Sequence, residues 1–259
     1  MGTCTQRRRS CASPTASTSR WRRTRRRCRS PRPRRARATS WCCSTGNYRK
    51  RTILAAFVAM MQSVQYFAVG FYLSAITATL FGKSTLLQIV GPLGFNFIFG
   101  VGGALLGSAL TQKWGSRKLA MRGFFCSAVL LVVIGVSGPS LQGGFALVGG
   151  LLVGLFIFTH AGGPAAQGMT LATLSYPTHL RGAGTGMAQA VLRIGSIGGL
   201  TFFPIMTESF GLSALIFLAA APVIGLLTTL LINWEPVGRD IDAEELAAAR
   251  PGLAAKKGI

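Results

Sequence analysis

Between Arg181 and Thr207 the chain runs for 25 residues, Gly182 to Met206, with a single ionisable side chain, Arg193, close to its centre. At about 1.5 Å per helical residue, that stretch is long enough to cross a hydrocarbon layer about 30 Å thick. An arginine facing lipid at mid-depth costs at least about 2.5 to 3.5 kcal/mol, so Arg193 is expected to face a bundle interior or an aqueous cavity. Gly182, Gly186, Gln189, Arg193 and Ser196 follow one another at spacings of four, three, four and three. That spacing is one stripe of a helix. Its small residues admit a close neighbour, and Gly195 with Gly199 make a second small pair. The plain alternative for Arg193 is a structural arginine bonded to carbonyls of adjacent helices.

Five further apolar segments accompany this one. Hydropathy and turn residues predict spans over 52–80, 86–110, 119–136, 143–167, 182–206 and 212–234, an all-α six-helix membrane domain over 48–234. No acid precedes Glu208, so the first five segments contain no carboxylate. Gly162-Gly163-Pro164 interrupts the fourth, as a bilayer permits where neighbouring helices or water satisfy the freed carbonyls. Lysines and arginines fall before the first span, in the second-to-third and fourth-to-fifth loops and in the tail, whereas the alternate connections carry only Lys83. By the positive-inside rule both termini are cytoplasmic, in a multi-pass protein of the plasma membrane. Residues 235–259 form a cytoplasmic tail with a short helix, Asp242 and Glu245 standing at capping-box spacing and Pro251 ending it.

Charge divides the chain in two. Residues 1–51 hold 17 of the 28 Lys and Arg and no acid, and the remainder holds 11 bases and all six acids, a net of +5. The arm, 1–47, is rich in Arg, Ser, Pro and Cys without apolar periodicity, and is expected to be disordered. Its arginine runs are compatible with nucleic acid or anionic lipid. Its five cysteines match no zinc spacing. The composition is best accounted for as a G+C-rich reading frame that is out of phase. Nucleic acid is accordingly not expected as a partner, and no metal or cofactor is expected.

An enzyme is disfavoured too: the spans hold no carboxylate pair, no nucleophile beside a base and no metal-ligand cluster. Gly82-Lys83-Ser84-Thr85 resembles the end of a phosphate loop, but Thr77 stands where the motif needs glycine. Depth is more informative. Gln62, Gln65 and Tyr66 in the first span, Asn96 in the second and Arg193 in the fifth all fall near the bilayer midplane, where transporters place substrate, and Gln189 shares the Arg193 stripe. Each alone serves equally well as glue between helices. By the same counting His160 lies nearer the cytoplasm.

The loops carry a family resemblance. Gln112 followed by Trp114-Gly115-Ser116-Arg117-Lys118 resembles the Asp-x-x-Gly-Arg-Arg-Lys loop between helices 8 and 9 of the major facilitator superfamily. Tyr176-Pro177-Thr178-His179-Leu180-Arg181-Gly182 resembles its Glu-x-Tyr-Pro-Thr-x-x-Arg-Gly element between helices 10 and 11. Gly184 to Gly195, with Arg193 within it, is similar to helix 11 of the metabolite:proton symporters in the sugar transporter branch. The signature acid is Gln112 here, its first arginine Ser116, and the acid of the second element Leu174. The resemblance covers residues 48–234 as helices 7 to 12 of twelve. It implies the C-terminal half of a secondary transporter, proton-coupled and carrying an organic anion or a sugar. Arg193, Gln62, Gln65, Tyr66, Asn96 and Gln189 would contact solute. Gly115, Arg117, Lys118, Pro177 and Arg181 would belong to the cytoplasmic gate. Such a half needs a separate N-terminal half or a second copy; the other expectation is a membrane fragment inactive on its own.

Overall fold

The computed structural model describes residues 48–71, 73–74, 78, 85–137 and 146–249. The arm expected over 1–47 lies outside them. Among the described residues the chain is wholly helical. Helix α1 is Arg49–Phe71. Helix α2 comprises Thr85–Phe95, a π-helical segment Asn96–Val101 and Gly102–Trp114. Helix α3 is Ser116–Ser137. Helix α4 comprises Ala146–His160, a second π-helical segment Ala161–Ala165 and Ala166–Leu174. Helix α5 is Arg181–Phe210. After a single 3-10 turn, Gly211–Ser213, α6 follows as Ala214–Leu218 and Ala220–Leu231. The tail helix α7 is Ile241–Ala249.

Among the described residues five stretches are long and apolar enough to cross a membrane, the last of them 51 residues from Arg181 to Leu231. That stretch folds back on itself at Gly211, whose φ of 57° breaks the helix. Phe210 then stacks on Phe217 with centroids 5.1 Å apart. Phe203 and Leu218 join the same buried cluster, so α5 and α6 are two arms of one hairpin.

The second π-helical segment has a local cause: Pro164, within it, cannot donate to the helical ladder and crowds the preceding turn. The first begins four residues after Pro92, and there the Asn96 side-chain amide donates to the Pro92 carbonyl over 3.0 Å.

Glycines set the packing, as expected where lipid removes the hydrophobic drive between helices and close contact must replace it. A side chain at Gly103 would run into the Phe158 backbone, and one at Gly107 into that of Gly162, so α2 and α4 touch backbone to backbone. Gly123 of α3 faces Pro164 in the same way. On the other side, Cβ atoms at Gly195 and Gly199 would stand 2.5 and 2.6 Å from the carbonyl oxygens of Met60 and Val64. Ser63 reinforces that seam by donating to the Leu192 carbonyl over 3.0 Å. Leu54, Val58, Phe124 and Leu171 fill one centre of the bundle, and Leu73, Leu131 and Leu215 another. The outer faces are greasy: Phe97, Leu105, Val136, Leu147 and Leu231 are all strongly exposed. A surface of that kind suits acyl chains and would aggregate in water.

Several boundaries differ from the expected ones. The fourth helix continues to Leu174, beyond the expected end at 167, because the Gly-Gly-Pro break is absorbed as a π-helical segment rather than ending the helix. Likewise α2 runs on to Trp114 and α5 to Phe210. In the tail, Asp240 rather than Asp242 caps α7, accepting the Ala243 N–H at 3.0 Å. Asp242 is occupied elsewhere.

Candidate functional site

Arg193 sits in the thirteenth position of a 30-residue helix, about 18 Å from the start of α5. Its side chain is exposed, and no hydrogen bond or ion pair holds it among the described residues. The alternative of a structural arginine bonded to adjacent carbonyls therefore finds no bond here. The rest of the stripe explains the exposure. Gly182 and Gly186 are open, with nothing within 4 Å of where a Cβ would stand. Gln189, half-buried, donates to the Met169 sulfur of α4. Ser196 turns under, its hydroxyl donating to the Arg193 carbonyl at 2.9 Å. Helix α5 thus presents Gly184, Ala188, Leu192, Gly195 and Gly199 to the bundle and the arginine stripe away from it. The small residues that meet α1 are the second pair, not the stripe itself.

The other polar residues divide. Tyr66 is 43% exposed and lies over His160, ring centroids 5.7 Å apart and nearly parallel. Phe156 stacks on His160 as well, at 5.9 Å. His160 is buried and both its ring nitrogens lack partners. It therefore stands level with Tyr66, not nearer the cytoplasm. The expectation failed because the fourth helix was ended seven residues early, which shifted every depth counted from that end.

Gln62 is half-buried, four residues before Tyr66. Gln65 is fully buried and neither amide atom finds a partner, so it does not reach the open surface. Asn96 is half-buried and its amide is directed to Pro92. Heights follow from the seam that pairs Met60 with Gly195 and Val64 with Gly199. Arg193 falls level with Val58, so Tyr66 lies eight residues, about 12 Å, further along the helix axes. The structure brings Tyr66 and His160 together and leaves Arg193 about two turns away.

At the loop between α2 and α3 and the loop between α4 and α5 the sequence elements form a connected network. Gly115 has φ 82° and ψ 154°, a region essentially reserved for glycine. A side chain there would also strike the Glu235 carboxylate. Glu235 accepts the Ser116 N–H at 3.0 Å, the Ser116 hydroxyl at 2.8 Å and the Arg117 N–H at 2.8 Å, placing a negative charge on the first turn of α3. Arg117 reaches back to the end of α6, donating to the Thr229 and Leu230 carbonyls and to Asn233 Oδ1. Lys118 is exposed. The carboxylate that serves this loop comes from beyond α6, a pairing that local spacing does not reveal.

The second element is bound to the tail. The Pro177 carbonyl accepts the Leu180 and Arg181 N–H groups, both at 2.9 Å, turning the chain into α5. Arg181 is half-buried, with its Nε unpartnered. Tyr176 is fully buried and donates to the Thr52 hydroxyl at 2.8 Å. Asp242 accepts the Thr178 hydroxyl at 2.5 Å and the Thr178 N–H at 2.8 Å, and these bonds hold its carboxyl below the usual carboxylate range. Arg51 lies 3.6 Å above the Trp234 ring, with Arg239 near the same ring at 4.9 Å. Glu244 lies 3.7 Å from Arg51 and 3.6 Å from Arg239.

A model of the sugar (and other) transporter family matches residues 15–246. The MFS-type transporter lnaF of Aspergillus flavus is 32% identical over 148 residues, covering 56% of this chain and 29% of that protein. The inner membrane metabolite transport protein YgcS of Escherichia coli strain K12 is 29% identical over 195 residues, covering 74% of this chain and 41% of that protein. The chain thus spans well under half the length of either relative.

Proposed function

Because the chain belongs to the sugar (and other) transporter family, we propose that it forms one wall of a pathway for a small organic solute across the membrane, as the C-terminal half of a proton-coupled carrier. The observation that supports this reading is the free guanidinium of Arg193, exposed at mid-span. A charge at that depth is costly against acyl chains and is sustained by a polar surface or water. The open glycines Gly182 and Gly186 leave room for another helix against the same stripe. Arg193 then serves as counter-ion to a solute carboxylate or balances a charge on the opposite wall. Gln189, Gln62 and Tyr66 supply hydrogen bonds along the path; Asn96 and Gln65 contribute where the helices move enough to free their amides.

In this reading the loop glycine Gly115, with Arg117, Lys118, Pro177 and Arg181, belongs to the cytoplasmic gate, both termini face the cytoplasm, and the membrane is the plasma membrane. The opposite wall is a separate N-terminal half or, by the parallel-repeat symmetry of such carriers, a second copy. Co-expression with the N-terminal half of a relative, followed by uptake into proteoliposomes with and without a pH gradient, tests it. Saturable uptake abolished by Arg193→Ala is expected; uptake indifferent to that change refutes the role of Arg193. A second reading is a membrane fragment inactive alone, for which co-expression restores nothing.

A further inference from the structure

Where α2 turns into α3, Lys113 closes one helix while Lys118 and Arg122 lie one helical turn apart on the next. All three are exposed and none has a carboxylate within ion-pair distance among the described residues. Glu235, the acid beside them, is already taken by Ser116 and Arg117. Arg122 stands seven residues into α3, about 10 Å from its start. Its guanidinium lies 4.3 Å above the ring of Trp114, itself 45% exposed. A tryptophan at a helix end is the usual anchor at headgroup level. Arg122 itself, with Met121, Phe125 and Cys126 of α3 and Leu226 of α6, lines an open groove of about 280 Å³.

We infer that this corner is a binding site for an anionic phospholipid, the phosphate held by Lys118, Arg122 and Lys113 and one acyl chain lying in the groove. Charge complementarity selects the lipid class: Arg122 lines an apolar groove, Lys118 stands one helical turn before it and Lys113 at the end of α2, and these uncompensated cations match a negative headgroup on a hydrocarbon tail. The Trp114 ring holds the Arg122 guanidinium at the depth where the phosphate sits. The site shares Lys118 with the gate proposed above, but its case rests only on the chain lying in a bilayer.

Native mass spectrometry of the full chain, delipidated and then exposed to phosphatidylglycerol or phosphatidylcholine, tests it. Selective retention of phosphatidylglycerol is expected, falling about fivefold with Arg122→Ala or Lys118→Ala and little with Lys50→Ala, a change at another exposed cation. Arg122→Lys keeps the charge and is expected to retain most of the binding, which guards against a folding defect in the alanine variant. Equal retention of the two lipids, or undiminished phosphatidylglycerol binding in both alanine variants, overturns the proposal. Displacement of the lipid by millimolar inorganic phosphate also overturns it, because the groove then contributes nothing.

Discussion

Two positions bear most on the loop between α2 and α3 at the scale of single residues. Gly115 carries a backbone conformation that other residues adopt only at a cost of about 1 to 3 kcal/mol, and any Cβ there meets the Glu235 carboxylate. Gly115→Ala is therefore expected to lower the thermal midpoint by several degrees in detergent, and a midpoint equal to that of the parent chain would contradict the strain. Glu235→Gln leaves the Ser116 and Arg117 N–H groups with a neutral acceptor. A loss of about 1 kcal/mol, with the loop over 113–118 exchanging amide hydrogen faster, is the expected outcome. The glycine was legible in the sequence because the loop resembles a known signature. Its partner was not, because Glu235 lies 119 residues beyond the neighbouring Ser116 and only the return of α6 brings it to the loop.

At the scale of helices, the α1–α5 seam depends on absent side chains. Gly195→Leu would drive a branched side chain into the Met60 carbonyl and separate the two helices. Overpacking of this kind costs about 1 to 3 kcal/mol, so a lower yield of folded protein on gel filtration is expected, whereas Gly182→Leu, beside open space, is expected to be tolerated. The tail helix adds a pH dependence. Asp242 has a lowered pKa in the folded chain, so its docking to Thr178 stabilises above the ordinary carboxylate pKa of about 4 and is lost as pH falls through the lower folded value. Amide exchange in α7 is expected to quicken on acidification below pH 4, and Asp242→Asn to remove that response. Helix existence was readable from apolar length alone; helix ends were less so. Gly162-Gly163-Pro164 reads as a late interruption of the fourth span, and the helix runs on past it to Leu174 rather than ending at 167, with close neighbours on α2 and α3 along the break. That one boundary moved His160 from an apparent cytoplasmic position to the level of Tyr66.

For the whole molecule, the decisive question is what covers the Arg193 stripe. The sequence indicated that a mid-span guanidinium needs polar surroundings, but it held no means of saying whether this chain provides them, because shielding is a property of packed neighbours. Among the described residues nothing lies within 4 Å of where a Cβ would stand at Gly182 or Gly186, and Arg193 bonds nothing. Alone in a bilayer, the chain is expected to be relieved by losing the charge. Arg193→Leu is therefore expected to stabilise the isolated chain in membranes, by up to about 2.5 to 3.5 kcal/mol if the guanidinium meets lipid and by less if it snorkels to water. Paired with an N-terminal half, the same substitution is expected to abolish solute uptake. Opposite signs in the two assays distinguish a charge kept for a pathway from one kept for folding: a structural arginine would destabilise the isolated chain when replaced. Measuring resistance to thermal aggregation of the isolated chain in nanodiscs, beside uptake by the co-expressed pair, separates the two outcomes.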